Sequence, residues 1–357
     1  MEATTRVSDS EILFERHGAA GVVTLNRPKA LNAVSHAMVL AFRAQLDAWA
    51  NDPAVTRVVV TAAGERAFSA GGDIRALYDA GKAGRHDEAL QFWRDEYPLN
   101  AAIKNYRKPY VPLIDGIVMG GGVGISVHGS HRVAGDKFQF AMPEVSIGFF
   151  PDVGATWFLP RMPGELGTFC ALTGERFNAA DGVGGGMATH CVRSERFADL
   201  ADALCGTTPV DAILSAFAEP AENPVILPLR PVIDRLFAGS SVEEILAGLD
   251  REAASGSADA AWAGKTAGLM RTKSPTSLKL ALAQVRRGQD WDFETCMRAE
   301  YRIVSRIIHG HDFYEGVRAV IVDKDNKPRW QPAALSDVSD VEIERHFAPL
   351  AQELAMA

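Results

Sequence analysis

Cysteine is scarce in this chain: Cys170, Cys191, Cys205 and Cys296 are the four among 357 residues, widely spaced and without a C-x-x-C pair. That spacing argues against a disulfide framework and against a zinc site, and it fits a reducing compartment, here expected to be the cytoplasm. Long apolar runs are missing too. The longest, Ile117 to Val127, is short and glycine-rich, so no membrane span is expected. Met1 to Ser10 carries acids and hydroxyls in place of an apolar signal segment, and it is not the Arg-rich, acid-poor text of an organellar presequence. Positive charge is in the minority. With 37 Lys and Arg against 45 Asp and Glu the formal charge is −8, and no clustered Lys/Arg run offers a nucleic-acid surface.

Apolar residues, by contrast, are plentiful at 47%, ample for a sizeable core in a chain with roughly two domains' worth of material. Ile12 to Arg16 and Val22 to Leu25 are β-rich runs joined through Gly18 and Gly21, which predicts a hairpin. From Asn32, read as a cap, Val34, Met38, Phe42, Leu46 and Trp49 recur at helical spacing until Asn51-Asp52-Pro53. Val55 to Thr61 and Tyr110 to Ile114 read as buried strands, with shorter ones at Arg132 to Ala134 and Phe138 to Phe140. A strand–strand–helix unit thus recurs, and repetition of that kind builds an α/β core whose strand-to-helix turns line one side. Gly182 to Gly186 reads as a loosely specified loop. Beyond about Cys205 the text becomes helical, with Asn223-Pro224 and Pro228 as a linker, a cap at Ser274-Pro275 and an apolar helix near Cys296 to Ile308.

Two features carry chemistry. Ala70-Gly71-Gly72-Asp73-Ile74 is a tight strand-to-helix turn that exposes helix N-terminal amides, with Asp73 in the first turn where the dipole favours it. The second glycine turn, Gly120-Gly121-Gly122, lies 22 residues before Glu144, and Asp152 follows eight residues later. Glycine lets a ligand approach unpaired amides, and two carboxylates nearby can divide attack and proton transfer. Gly148 and Pro151 keep these acids off one continuous helix. Blander readings stand beside these: close helix packing for the glycines, a helix-terminus charge for Asp73, a solvated face for Glu96 within Arg94-Asp95-Glu96, and surface turns for Pro143-Glu144 and Pro151-Asp152. The apolar surroundings Phe140, Val145, Ile147, Phe149 and Phe150 count against the last. Ser126 with His128 lacks the second glycine of a nucleophile elbow, and His128/His131 and His309/His311 lack a third ligand, so neither a serine hydrolase nor a metal centre is expected.

Leu25-Asn26-Arg27-Pro28-Lys29-Ala30-Leu31-Asn32, Phe68-Ser69-Ala70-Gly71-Gly72-Asp73-Ile74 and the second glycine turn resemble the enoyl-CoA hydratase/isomerase (crotonase) superfamily over nearly the whole chain. Asp95-Glu96-Tyr97, Met142-Pro143-Glu144, Phe150-Pro151-Asp152-Val153-Gly154 and Gly310-His311-Asp312-Phe313-Tyr314-Glu315-Gly316-Val317-Arg318-Ala319 narrow it to the branch that hydrolyses 3-hydroxyacyl-CoA thioesters. The resemblance implies an α/β, crotonase-like spiral of repeated ββα units (1–205) with a C-terminal helical subdomain covering the core (206–357). It implies hydrolysis of a short branched 3-hydroxyacyl-CoA such as 3-hydroxyisobutyryl-CoA, in valine degradation. The amides of Ala70 and Gly121 would form the oxyanion hole. Glu96, Glu144 and Asp152 would line the acyl pocket, and Gly120, Gly71, Gly72, Asp73, Ile74 and Lys29, with Arg27 and Arg75, would meet substrate. Coenzyme A belongs to the substrate, so no cofactor is expected; a homo-oligomer is allowed. In the hydratases one catalytic glutamate sits three residues after the oxyanion glycine, which is Gly124 here, while their glycine eight residues after the other glutamate is Asp152 here. That exchange favours hydrolysis. A hydratase or isomerase working with Glu144 alone is the rival reading, and a catalytically silent or RNA-associated scaffold is the reading from another class.

Overall fold

The computed structural model describes residues 10–356; residues 1–9, which hold most of the amino-terminal segment read above, and residue 357 lie outside the described residues. Strands β1 (Ile12–His17) and β2 (Ala20–Leu25) form the expected antiparallel hairpin, with Ile12 opposite Leu25 and His17 opposite Ala20. Strands β3 (Arg57–Ala62), β5 (Tyr110–Ile114), β7 (Val133–Ala134) and β9 (His190–Cys191) extend it in parallel, in the order β1-β2-β3-β5-β7-β9. The shorter strands β4 (Ala67–Ser69), β6 (Ile117–Met119) and β8 (Gln139–Ala141) make a second parallel sheet. The pairs β3/β4, β5/β6 and β7/β8 therefore each give one strand to each sheet, while both strands of the hairpin stay in the large one.

The run Val58-Val59-Val60 is apolar without alternation because both faces of the large sheet are covered. Val58 and Val60 join the main core. Val59 joins a second one with Val111, Val133, Leu200, Leu204, Ile213 and Leu214. That second core is closed by helices Phe197–Leu204 and Val210–Phe217, which pack on each other on one side of residue 205 and the other.

The first long helix, α1 (His36–Asn51), starts later than expected: its cap is Ser35, whose Oγ accepts from the Met38 amide. Asn32 is buried in a left-handed turn instead, where its side chain accepts from Arg27 N and donates to the Ala63 and Ala67 carbonyls. Helices α2 (Ile74–Lys82), α3 (His86–Lys104) and the single turn α4 (Gly121–Gly124) follow β4 and β6. The glycine-rich stretch at 182–186 is not a plain loop. Helix Ala179–Gly184 runs into it, held by a reciprocal Asn178/Asp181 cap whose carboxylate also accepts from the amides of Val225, Ile226 and Leu227.

In the last third, Ser274 caps helix Pro275–Gly288 with Pro at its first position, and helix Phe293–Ile307 covers the stretch expected from Cys296. Helix His311–Val317 lies directly on the Glu144 segment: a Cβ at Gly316 would stand 2.2 Å from the Ile147 carbonyl carbon, so only glycine allows that approach. Val145, Phe149, Phe313 and Val317 share the main core, so both parts of the chain bury one interior. No helix among the described residues is long and apolar enough to cross a membrane.

Candidate active site

The turns after β4 and β6 meet. Gly121 is the first residue of α4, so its N–H has no intrahelical acceptor. The amide nitrogen of Gly72 is the group a Cβ on Gly121 would strike, at 3.0 Å, and neither amide has an acceptor among the described residues. Two free N–H groups thus stand side by side on backbone held by parallel strands. Gly120, at φ +44°, sits where an L side chain is strained, and a Cβ there would come within 3.3 Å of Glu144 Oε1. This pair corrects one expectation. The Ala70 amide donates to the Leu31 carbonyl at 2.9 Å and has nothing left for a ligand; the free amide beside that of Gly121 is Gly72's.

These amides open into a cavity of about 470 Å³ whose apolar lining includes Phe92, Trp93, Phe149, Ile74, Val320 and Ile321. Glu96, Glu144 and Asp152 also line it, and all three are buried. Glu96 lies on α3, on the same face as Trp93. The charged run around it divides, with Arg94 donating to the Tyr301 hydroxyl and Asp95 paired with His36, so the solvated-face reading fails for Glu96 alone. Glu96 Oε1 lies 2.8 Å from the position of a Gly121 Cβ, and neither it nor Glu144 Oε2 has a hydrogen-bond partner among the described residues.

Burial raises the Glu144 carboxyl well above the usual range, and the nearby Asp152 raises it further. Burial also lifts Asp152 to about 7, although hydrogen bonds from Tyr97 and Trp93 favour its charged form. The Tyr97 hydroxyl donates to Asp152 Oδ2 at 3.0 Å. Glu96 is raised by burial first, then by Asp152 and by a fourth acid, Glu300.

Glu300 was missed in the sequence, although it lies on the apolar stripe of its helix with Cys296, Ile303 and Val304. Its carboxylate accepts from the amides of Gly154 and Thr156, each at 2.8 Å. Between Asp152 and that grip lies Val153 at φ +54°, a β-branched residue in the left-handed region, which is a strained conformation. Three further contacts fix the same turn: Gln284 Nε2 donates to the Pro151 carbonyl and to Thr156 Oγ1, and His128 Nε2 bonds the Val153 carbonyl at 2.7 Å. Val153 in turn closes the neighbouring position. A Cβ on Gly124 would stand 2.7 Å from Val153 Cβ and 2.8 Å from Asn100 Nδ2, so no glutamate fits at 124.

The remaining expected residues divide. Gly71, Gly72, Ile74, Gly120 and Gly121 line the cavity. Asp73 lines it too, but its carboxylate caps α2 and pairs with Arg27, which also holds Glu11. Arg75 also lines it, with its guanidinium paired with Asp79, whereas Lys29 is exposed and outside the lining. Ser126 Oγ donates to the Gly122 carbonyl, away from His128, which disposes of a Ser–His pair.

The family model for enoyl-CoA hydratase/isomerase matches residues 20–347. A protein of Danio rerio named 3-hydroxyisobutyryl-CoA hydrolase, mitochondrial, is 46% identical over 96% of this chain and 90% of its own length, and the Homo sapiens protein of the same name is 42% identical over 95% and 89%. Among solved structures, a carnitinyl-CoA dehydratase from Mycobacterium thermoresistibile superposes with a TM-score of 0.92 at 42% identity, covering 98% of this chain and 99% of that one. An enoyl-CoA hydratase from Rhodobacter sphaeroides 2.4.1 gives 0.90 at 39%, covering 97% and 100%.

Proposed function

The chain belongs to the enoyl-CoA hydratase/isomerase family, and from that premise we propose that it hydrolyses the thioester of a short, branched 3-hydroxyacyl-CoA, with 3-hydroxyisobutyryl-CoA as substrate, as a step in valine degradation. The observation that carries this reading is the exchange of acids: position 124 is sealed by Val153, while Asp152 adds a buried carboxyl next to Glu144. Adding water across a double bond asks for two acids flanking the alkene. Here the acids gather beside the free amides instead.

In the proposed reaction the thioester carbonyl oxygen rests on the N–H groups of Gly72 and Gly121, which strengthen their hold as the carbon becomes tetrahedral. Glu144 delivers the attacking oxygen, either its own or that of a water it deprotonates. The C–S bond breaks and the sulfur leaves as coenzyme A thiol with a proton from the surrounding acids; where the attacking oxygen is Glu144's own, water then cleaves the mixed anhydride and frees the Glu144 carboxylate, so that by either route one water is consumed, a hydrogen ending on sulfur and a hydroxyl in the free carboxylic acid. Asp152, steadied by Tyr97, receives the 3-hydroxyl; Glu96, set against Gly121, crowds the acyl group toward Glu144. Protein groups and water suffice for every step. The relatives' names carry "mitochondrial", which leaves the cytoplasmic expectation without support from them.

The solved neighbours named hydratase and dehydratase favour one second reading, hydration of an enoyl-CoA through Glu144 alone. Purified protein given 3-hydroxyisobutyryl-CoA and crotonyl-CoA separately decides. Thiol release from the first supports hydrolysis; loss of enoyl absorbance from the second without thiol release overturns it.

A further inference from the structure

A second pocket, of about 400 Å³ and sharing no lining residue with the acyl cavity, gathers Lys104, Arg132 and Arg161 around Trp157 and Tyr110 without any carboxylate in its wall. In a chain of net charge −8 this is an unusual concentration of positive charge. None of the three cations has an ion-pair partner among the described residues. Lys104 ends α3, where the helix dipole tolerates a cation, and its Nζ lies 3.9 Å from the centre of the Trp157 ring; Arg161 Cζ lies 4.7 Å from that same ring.

These contacts leave several donors unused. Arg132 gives three of its five N–H groups to the Met187, Gly129 and Gly186 carbonyls, and Arg161 gives four to those of Trp157, Gly288, Gln289 and Trp291. That leaves two donors on Arg132, one on Arg161 and all three on Lys104, which rests on the face of the Trp157 ring. The same wall holds His128, 5% exposed, whose Nε2–H is spent on the Val153 carbonyl; its Nδ1, without a partner among the described residues, is therefore an open acceptor, which the P–OH of a hydrogen phosphate can donate to. Burial, and after it the charges of Arg132 and Arg161, push the Lys104 ammonium down.

We propose that this pocket binds a tetrahedral oxyanion, inorganic phosphate or a small phosphomonoester, at the unspent donors of Lys104, Arg132 and Arg161. A tetrahedral anion offers acceptors in three directions, which matches donors arriving from three separate elements, whereas a planar carboxylate offers two oxygens in one plane.

The test titrates the full-length protein, in phosphate-free buffer, with sodium phosphate and with glycerol 2-phosphate against sodium chloride at equal ionic strength, followed by calorimetry. Saturable binding above the chloride control is expected, weakened about tenfold or more in Lys104→Met and in the second variant Lys104→Gln, restored in Lys104→Arg, and unaffected by saturating coenzyme A. Tighter binding of the ester identifies an organic phosphate as the natural ligand, and binding of phosphate alone identifies the free ion. Thioesterase activity of the Lys104 variants should match the parent, which verifies their fold. No saturable binding, Lys104→Met and Lys104→Gln affinities within about twofold of the parent, or displacement by coenzyme A would each overturn the proposal.

Discussion

Replacing Gly121 by alanine places a methyl group 2.8 Å from Glu96 Oε1 and 3.0 Å from the Gly72 amide nitrogen. Glu96 could swing aside, but Gly72 N is main chain between β4 and α2 and cannot. The methyl therefore crowds the Gly72 amide, one of the two donors on which the proposed carbonyl oxygen rests. Losing one such donor costs about 10²–10³ in kcat, or about 2.7–4 kcal/mol, and the loss here should reach at least that range. Gly72→Ala is the matched control. Its Cβ meets Phe92 Cζ at 3.3 Å, a side-chain contact that can give by a few tenths of an ångström, and it leaves the Gly72 N–H in place. That variant should keep activity within about fivefold, since yielding packing costs little next to a lost donor. Thiol release from 3-hydroxyisobutyryl-CoA measures both, with circular dichroism checking the fold. A Gly121→Ala enzyme within about threefold of the parent would show that the carbonyl does not rest between these amides.

Glu144→Gln keeps the shape of the side chain and removes its basicity; turnover should fall by about 10²-fold or more while binding of the CoA ester, followed by calorimetry, persists. Glu300→Gln replaces one acceptor of the 154/156 amides by an N–H₂ group and leaves a buried donor unsatisfied, at a cost of about 1–3 kcal/mol; the melting temperature should drop and kcat should fall more than KM rises, because the Asp152 turn loosens. Stability should depend on pH in a defined sense. Asp152 keeps its proton to about 7 in the folded protein but loses it near 3.8 when unfolded, so the native state binds the extra proton and stability declines as pH rises from about 4 to about 7, levelling above. Glu300, raised to about 8 from 4.5 by burial and by Asp152, extends the decline in the same direction. Thermal melts of Asp152→Asn should show a shallower slope across that window, and an identical slope would refute the assignment.

Much of the site could be read in the sequence because it resides in local backbone geometry. Glycine runs at 71–72 and 120–122 mark close approach, the Pro143-Glu144 and Pro151-Asp152 bends mark two separate acids, and Tyr110 to Ile114 has the strand limits expected. The assignment that failed, Ala70, lies two residues before the free amide of Gly72: whether an amide is free depends on a partner far away in sequence, here the Leu31 carbonyl. Asn32 failed for a related reason. It has the chemistry of a cap, yet its side chain is spent on joining the 27, 63 and 67 segments. Glu300 and the Val153 strain were hidden because their meaning lies in a contact across 146 residues. An acid on an apolar stripe was the available signal, and it went unused.

The cavity wall made by Val320 and Ile321 comes from a single π-helical turn, Arg318–Val322, near the carboxy terminus, and the helix just before it braces the Glu144 segment. During synthesis, a nascent polypeptide of some three hundred residues would already own its amides and acids, yet it would hold them in an unroofed trough open to water. Hydrolytic competence therefore waits for residues 318–322, and a product terminated before them should bind thioesters poorly even where its spiral folds.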